Sequence, residues 1–385
     1  MLYFLIEYLE GIYQPPGFQV VQFISVRAGL AAITALLLST LVGRRIIRWL
    51  KRNQFGEQVR ASEDAGGVDH SHKAGTPTMG GLILLLGALG SVFLWGDLTQ
   101  VYVWLTMLAM AGMGAVGFAD DYIKSIKKNK DGVAPMVKVS AQVAIGALVG
   151  AVLYFHPQFE DVKGLTYLPF IKTEVINYDF FRFFIEDIDL GWLVYIPIAI
   201  FVMTAVSNAV NLTDGLDGLA TGTSAFVALG FAGLTYVSGN AVFAGFLSEM
   251  FLPGAGELTV FMAALAAACF GFLWYNGYPA TVFMGDTGSL ALGAVFGAAA
   301  LMIRKELLLP LLCSVFFVEA LSVVLQTLYF KYTKRKYGEG RRIFLIAPLH
   351  HHYERKGFEE PKIVTRFWII TAITVIATFI VLRIR

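Results

Sequence analysis

Charged side chains are scarce in this sequence. Asp, Glu, Lys and Arg make up 15% of its 385 residues, whereas about 25% is usual in soluble domains. Hydrophobic residues account for 57%, and this balance indicates an integral membrane protein. The net charge of +2 is close to neutral, and no nucleic-acid partner is expected.

Cysteine is also scarce, because the chain contains only two. Cys269 and Cys313 both lie inside apolar stretches, which excludes a disulfide framework and a CxxC metal site. We expect both to be small packing residues. The N-terminal sequence MLYFLIEYLEG contains acids and no basic residue, unlike a cleaved signal peptide. The first membrane segment is therefore expected to remain in the protein.

Long apolar runs dominate the rest of the sequence. A helix needs about 20 residues to cross the hydrocarbon core of a bilayer. Ten runs approach or exceed this length, at about 20–43, 78–95, 101–119, 137–155, 192–210, 219–237, 259–275, 288–303, 307–330 and 365–382. The sequence shows no internal repeat, no Pro- or Ser-rich linker and no separate soluble domain. The sequence therefore predicts an all-α integral membrane protein with about ten transmembrane helices in a single domain, residues 1–385.

Lysine and arginine set the expected orientation. The stretches 44–77, 120–138 and 331–366 hold 22 of the 30 basic residues. With ten spans, all three fall on the same side of the membrane. The positive-inside rule makes this side cytoplasmic, so both termini are expected to be periplasmic.

The opposite side is expected to carry the longest loop, 156–191. Its seven acids are Glu160, Asp161, Glu174, Asp179, Glu186, Asp187 and Asp189. Two pairs of basic residues fit the charge bias less well, because Arg304–Lys305 and Arg383 with Arg385 would lie on this side too.

Five polar motifs fall on the predicted cytoplasmic face, although they are far apart in the chain. They are HSHKAGTPTMGG, FADDYIKSIKKNK, NLTDGLDG, FMGDTGS and APLHHHYERKG. Carboxylate ligands favour a hard ion such as Mg²⁺, and the lysines and histidines favour an anionic substrate. Together with the membrane setting, the motifs predict metal-assisted phosphoryl transfer to a lipid at the inner face.

The acid pair Asp120 and Asp121 follows a predicted span. Lys124 lies four residues after Asp120, on the same helical face. The two carboxylates repel each other and the C-terminal dipole of a helix, and a bound cation would relieve both costs. An ordinary interfacial ion pair with Lys124 is the alternative.

The motif NLTDGLDG places Asn211, Asp214 and Asp217 at helical spacing. Its glycines, Gly215 and Gly218, permit close approach of the backbone to a ligand. The motif lacks the spacing of an EF-hand loop. A capped helix end with solvated acids is the alternative.

The motif FMGDTGS places Asp286 between glycines at the start of a small-residue helix. Thr287 and Ser289 are both able to cap this helix, and capping alone is the alternative explanation of the motif. Phe283 is expected either to stack on a base or to be an interfacial aromatic.

Two motifs supply cationic groups. His350, His351 and His352 point in different directions on a helix, and HExxH is absent, so they suit a phosphate-rich site better than one metal. A pH-sensitive surface patch is the alternative. Lys73, with nearby threonines, suits phosphate binding, although no Walker A motif is present. A basic anchor at the lipid headgroups is its alternative.

The motifs HKAGTPTMGG, FADDYIK, NAVNLTDGLDGLA, FMGDTGSLALG and APLHHHYERKG closely resemble those of the bacterial phospho-N-acetylmuramoyl-pentapeptide transferases. These enzymes belong to the polyprenyl-phosphate N-acetylhexosamine-1-phosphate transferase superfamily. The resemblance extends from about residue 20 to the C-terminus. It implies transfer of phospho-MurNAc-pentapeptide from UDP-MurNAc-pentapeptide to undecaprenyl phosphate, with release of UMP, formation of lipid I and a requirement for Mg²⁺. It also implies a multi-pass protein of the bacterial inner membrane, and it leaves room for a homodimer.

The resemblance implies roles for individual residues. Asp286 matches the Mg²⁺ ligand, Asp120 and Asp121 match the catalytic acids, with Asp120 as base or nucleophile, and His350 belongs to the histidine cluster assigned to catalysis. The expected substrate contacts are Lys73, Thr78, Lys124, Lys138, Asn211, Asp214, Gly215, Leu216, Asp217, Asn276, Phe283, Gln326, His351 and His352. Of these, Gly215, Leu216 and Asp217 would border the uracil, and Phe283 would stack on it.

Two other functions are compatible with parts of this pattern. A related transferase would use UDP-GlcNAc or another UDP-sugar, but TPTMGG and the unbroken His-His-His favour the muramoyl-pentapeptide branch. A secondary transporter would also place acids and broken helices in the membrane, although its charges should lie near the midplane.

Overall fold

The computed structural model describes residues 1–53, 73, 75–127, 132–169, 175–178 and 189–384, and helices dominate these residues. The α-helices are α1 (Leu2–Tyr13), α2 (Ile24–Arg52), α3 (Gly81–Trp95), α4 (Val101–Ser125), α5 (Pro135–Phe155), α6 (Trp192–Thr213), α7 (Leu219–Ser238), α8 (Ala241–Leu247), α9 (Glu257–Asn276), α10 (Gly285–Met302), α11 (Leu309–Leu312), α12 (Ser314–Tyr337), α13 (Leu349–Arg355) and α14 (Glu360–Ile384). Short 3₁₀ helices span Phe18–Gln22, Pro157–Val162 and Glu306–Leu308.

A small hairpin is the only sheet in the described part of the chain. Strands β1 (Leu165–Tyr167) and β2 (Val175–Asn177) pair antiparallel, with Thr166 opposite Ile176. The backbone N–H of Tyr167 donates to the carbonyl of Arg304 at 2.9 Å. The hairpin therefore packs against the C-terminal end of α10.

Each of the ten predicted spans coincides with a helix. Among the described residues, nine helices are long and apolar enough to cross a membrane: α2, α4, α5, α6, α7, α9, α10, α12 and α14. The remaining predicted span is α3, whose 15 residues extend about 22 Å at 1.5 Å per residue. The prediction of a helical, multi-pass membrane protein is confirmed at this level.

The helix bounds differ from those of the apolar runs, as two examples show. Helix α4 continues to Ser125 instead of ending at 119, because Lys124 pairs with Asp120 at 2.6 Å and supports the last polar turn. The run predicted at 307–330 is broken, and its long helix begins only at Ser314. Pro310 lies in the first turn of α11, where a missing N–H is tolerated but a preceding helix cannot continue through it.

Helix α10 lies at the centre of the bundle. Every residue from Thr287 to Met302 is buried. A Cβ added at Gly117 of α4 would overlap the carbonyl oxygen of Asp286, and one at Gly81 of α3 would overlap the backbone of Gly288. Small residues therefore let α3 and α4 touch α10 backbone to backbone, as in other membrane bundles. This contact places the end of α4 beside the start of α10.

The basic pair Arg304–Lys305, which fitted the charge bias poorly, is buried. The Arg304 guanidinium donates to the hydroxyl of Tyr195 and, at 3.0 Å, to the carbonyl of Leu153. The Lys305 ammonium lies 2.7 Å from a carboxylate oxygen of Glu249. Both side chains are buried and hydrogen-bonded within the protein, so neither is an exposed loop charge.

The structure tests some of the other sequence predictions, and some fall outside the described residues. Cys269 and Cys313 are buried and free, which confirms them as packing residues. In the acidic loop, Asp189 lies 3.1 Å from Lys163. Several members of the predicted sets lie outside the described residues, namely Glu174, Asp179, Glu186, Asp187, Arg385, the basic residues within 54–72 and 128–131, and the His-Ser-His of the first motif.

Candidate active site

The predicted motifs converge at one end of the helical bundle. The segment before α3 and the segment before α10 are paired by backbone hydrogen bonds. Phe283 donates to the carbonyl of Pro77, and Gly80 donates to that of Phe283, both at 2.8 Å. The ends of α4, α6 and α9, the starts of α5 and α14, and helices α12 and α13 contribute other side chains. The convergence expected from counting spans is confirmed for these residues.

Three aspartates form the centre of the site. Asp120, Asp121 and Asp286 each offer a carboxylate oxygen, and these atoms lie within 4.8 Å of one another. Asp120 is fully buried, Asp121 is 4% exposed, and Asp286 is the most accessible of the three. Such a set of oxygen donors has the composition of a hard-cation site.

Two lysines neutralise this centre. The Lys138 ammonium lies 2.8 Å from Asp120 Oδ2 and 2.7 Å from Asp286 Oδ2. Lys124 lies 2.6 Å from the same Asp120 oxygen and 3.4 Å from Asp286. Asn211 donates to the other oxygen of Asp286 at 2.9 Å. The lysines bridge carboxylates that would otherwise repel, and they are placed to meet anionic groups of a substrate.

Asp121 caps helix α10 from a neighbouring helix. Its carboxylate accepts from the backbone N–H of Asp286 at 3.1 Å and from the N–H and hydroxyl of Thr287 at 2.9 and 2.6 Å. Gly285, with φ of +73°, has no room for a Cβ next to Asp121. The alternative of capping by Thr287 or Ser289 is therefore contradicted, because the cap comes from Asp121 on α4. Asp121 fixes the backbone at Asp286.

A second cluster surrounds Lys73. Its ammonium lies 2.8 Å from Asp217 Oδ1 and 2.7 Å from Glu360 Oε1. The same ammonium is 6.0 Å from the centroid of the Phe283 ring. Burial lowers the pKa of Lys73, but Glu360 and Asp217 outweigh it, and the pKa lies above its usual value. Lys73 is therefore protonated at neutral pH.

Asn211 and Asp217 serve different clusters. Helix α6 ends at Thr213, so the helical alignment expected of Asn211 with Asp217 was wrong. Asn211 faces Asp286, whereas Asp217 faces Lys73. Asp214, the residue that follows α6, is half-buried, and its N–H donates to the carbonyl of Asn211 at 3.2 Å.

His350 is fully buried beside the NLTDGLDG loop. Its backbone N–H lies 3.2 Å from Glu319 Oε1, and its Nδ1 lies 3.2 Å from Glu319 Oε2. Its Nε2 lies against Gly215, where any Cβ would overlap the ring. Burial lowers the pKa of His350, and the Glu319 carboxylate opposes this shift without cancelling it. The ring is therefore neutral at neutral pH, with Nδ1–H directed at Glu319.

The other two histidines have separate partners. Nδ1 of His351 lies 2.6 Å from Glu354 Oε2. Nδ1 of His352 accepts from the backbone N–H of Leu345 at 3.1 Å. The three consecutive rings face different neighbours, in line with the expectation that they do not bind one metal together.

Two predicted substrate contacts use their amides within the protein. Asn276 accepts from the hydroxyl of Thr221 at 2.6 Å and donates to the carbonyl of Val282 at 3.1 Å. Gln326 bonds the carbonyl and N–H of Phe344 at 3.0 Å. Asn276 thus stabilises the segment at Val282, and Gln326 stabilises the segment at Phe344. Direct substrate binding by either residue stays a prediction.

Thr78 and Leu216 lie at the edges of the site. The hydroxyl of Thr78 is next to Gly285, close to the Asp121 cap. Leu216 is 4% exposed and packs in an apolar cluster with Val315 and Phe367. The structure thus places the Leu216 side chain in the core, leaving its backbone to line the loop.

Two acids of the site were missed by the sequence analysis. Glu319 is a lone carboxylate in the apolar run 307–330, and an ionisable residue inside a span is itself a functional signal. Glu360 is the first residue of α14, where an acid is also explained by the helix dipole. The local sequence does not show whether Glu360 is a site residue or only an acid that favours the start of a helix.

The fold and the site define a polytopic membrane protein with a lysine-bridged aspartate centre at one end of its helices. The profile of glycosyl transferase family 4 matches residues 103–304, and signature 1 of the phospho-N-acetylmuramoyl-pentapeptide transferases matches residues 73–85. The chain belongs to the phospho-N-acetylmuramoyl-pentapeptide transferase family, and the resemblance found in its motifs is confirmed.

Similar proteins with this name cover the full length of the chain. The protein of Salinibacter ruber is 64% identical over 385 residues, with all of both chains covered. Those of Flavobacterium johnsoniae and Chloroherpeton thalassium are 46% and 48% identical, again over the whole of both chains.

Proposed function

We propose that the protein transfers phospho-MurNAc-pentapeptide from UDP-MurNAc-pentapeptide to undecaprenyl phosphate, releasing UMP and forming lipid I for peptidoglycan. The observation that carries this proposal is the full-length identity of 64% to a phospho-N-acetylmuramoyl-pentapeptide transferase. The aspartate centre, in which Lys138 bridges Asp120 and Asp286, supplies charged groups suited to phosphoryl transfer. The UDP-GlcNAc transferase is not favoured, because the full-length relatives bear the muramoyl-pentapeptide name. A transporter is not favoured because the charged groups of the site gather at one end of the bundle.

The proposed location is the bacterial inner membrane, with one polytopic domain spanning residues 1–385. A UDP-linked donor is highly charged and does not cross a bilayer unaided, so the site would face the cytoplasm. The three basic stretches then lie inside, and both termini are periplasmic. A homodimer stays a prediction.

The proposed cofactor is Mg²⁺. Asp120, Asp121 and Asp286 fit it by chemistry, since they bring carboxylate oxygens within 4.8 Å of one another. Asp286 is the residue proposed to hold the ion, because it is the most accessible of the three and Asp121 fixes its backbone. When bound, Mg²⁺ would neutralise charge on the pyrophosphate.

Asp120 is proposed to position groups for a one-step reaction, in which the lipid phosphate attacks the sugar-linked phosphorus. Its Oδ1 accepts from the backbone N–H of Val133 at 2.7 Å, and its Oδ2 contacts Lys124 and Lys138. Both oxygens are thus engaged, and ion pairing weakens a carboxylate as a nucleophile. The alternative is a two-step route through phospho-Asp120, and a trapped phosphorylated enzyme would support it.

The remaining residues are assigned roles according to whether they lie at the aspartate centre or in the Lys73 cluster. Lys124 and Lys138 are proposed to meet phosphate oxygens, and Asn211 to orient Asp286. Lys73 and Asp217, with the backbone of residues 215–217, are proposed to form the uracil end, with Phe283 stacking on the base. His350 would act as a neutral hydrogen-bonding group. His351 and His352, which are both half-buried, are proposed to contact the donor.

The direct test is UMP release by the purified protein. Release should require UDP-MurNAc-pentapeptide, polyprenyl phosphate and Mg²⁺ together, and Asp286→Asn should lower it strongly when Mg²⁺ is limiting. Turnover only with UDP-GlcNAc would replace the proposed donor. Ion-coupled uptake into liposomes without UMP release would replace the enzyme class.

A further inference from the structure

Glu360 joins the start of α14 to the Lys73 cluster. Its side chain is only 8% exposed. A single oxygen, Oε1, accepts from the ammonium of Lys73 at 2.7 Å and from the backbone N–H of Asp217 at 2.6 Å. Asp217 in turn accepts from Lys73 at 2.8 Å and from the N–H of Ala280 at 2.9 Å. The resulting ring of hydrogen bonds ties four separate segments together.

The charges of this ring make Glu360 more than a helix-end acid. One ammonium is shared by two carboxylates, and all three side chains are at most 11% exposed. A buried charge is costly unless it is paired and hydrogen-bonded. Without Glu360, Lys73 would keep Asp217 alone, and the N–H of Asp217 would lose its acceptor. Both the position of the ammonium and the course of the 214–218 loop therefore depend on Glu360.

We propose that Glu360 is a positioning residue for the nucleotide end of the donor site. It acts through Lys73 and Asp217, holding the ammonium and the loop backbone in the arrangement that receives the uridine nucleotide, and it does not itself touch the substrate. The proposal rests on the proposed function, because the nucleotide end is assigned there.

The kinetic test compares Glu360→Ala with two other variants. The KM for UDP-MurNAc-pentapeptide should rise about 10- to 100-fold in Glu360→Ala, the range for loss of one charge-assisted hydrogen bond. The KM for undecaprenyl phosphate and kcat should stay within about twofold, because the change is confined to the nucleotide end. Glu360→Gln keeps an acceptor oxygen and should show a smaller rise. Glu359→Ala removes the exposed neighbouring acid and should change neither KM.

A binding test separates positioning from a general structural effect. UMP affinity is measured by calorimetry for the wild type, Lys73→Ala, Glu360→Ala and the double variant. Since Glu360 acts largely through Lys73, the double variant should bind UMP about as weakly as Lys73→Ala alone. If Glu360→Ala is not folded, the same cycle with Glu360→Gln decides the question.

Several outcomes would overturn the inference. They are additive losses in the cycle, equal rises in both KM values, or unchanged UMP affinity in the Glu360 variants. Failure of the wild type to bind UMP would also overturn it. Failure of the proposed function would give a different result. The wild type would then bind UMP but would not release UMP from UDP-MurNAc-pentapeptide, and the binding comparison of the four proteins could still be made.

Discussion

Asp121, at the end of α4, accepts hydrogen bonds from the backbone N–H groups of Asp286 and Thr287, at 3.1 and 2.9 Å. One of the two adjacent acids therefore holds the helix that presents Asp286, while the other, Asp120, faces the lysines. The two aspartates have the same chemistry and consecutive positions, yet the structure gives them different tasks.

This division predicts the effect of Asp121→Asn. An amide cannot accept from all the donors that face Asp121, and an unsatisfied buried donor costs about 1–3 kcal/mol. We expect UMP release to fall by about 10- to 100-fold, with a lower unfolding temperature. Thr287→Val removes only one of the three donors and should cost less on both measures. Full activity in Asp121→Asn would show that the cap is dispensable.

The contact between α4 and α10 predicts opposite results for two glycines of one helix. Gly117→Ala places a Cβ on the backbone carbonyl of Asp286, whereas in Gly112→Ala the Cβ meets only the end of the Ile145 side chain. Overpacking of this kind costs about 1–3 kcal/mol, and here it would move Asp286. We expect Gly117→Ala to lose most activity and thermal stability, and Gly112→Ala to retain both. Similar activities for the two variants would contradict the assigned contact.

The sequence was sufficient to predict the convergence of distant motifs. Counting spans placed Asp120, Lys138 and Asp286 on one face, because each helix reverses the direction of the chain. Apolar run length predicts such helices well, since a bilayer imposes one length on all of them.

The sequence could not predict which side chains join the aspartate centre and which join the Lys73 cluster. The separation of Asn211 from Asp217 depends on where α6 ends and on which neighbours its last turn meets. The cap on α10 comes from another helix, and Glu360 pairs with a lysine 287 positions away. Local patterns do not encode contacts of this range.

Metal dependence offers a test that distinguishes the two clusters. Removal of divalent cations with EDTA should abolish UMP release, and added Mg²⁺ should restore it. Asp286→Asn removes a proposed ligand charge and should raise by about tenfold or more the Mg²⁺ concentration for half activity. Asp217→Asn should raise the KM for the donor while leaving this Mg²⁺ concentration unchanged. Activity in EDTA, or an equal Mg²⁺ shift in both variants, would count against Asp286 as the metal-binding residue.

His350 predicts a specific dependence of stability on pH. Its pKa in the folded protein is lowered by burial, whereas an unfolded chain should show a value of about 6.5. The unfolded state therefore binds the proton more readily, and the stability from the neutral ring is present above pH of about 6.5 and lost as the pH falls towards the folded pKa. Unfolding temperatures in detergent should decline between about pH 7 and pH 5, and His350→Gln should decline less over the same window. Parallel curves for the two proteins would mean that His350 does not titrate between the folded and unfolded states, and the neutral buried ring assigned to it beside Gly215 would be wrong.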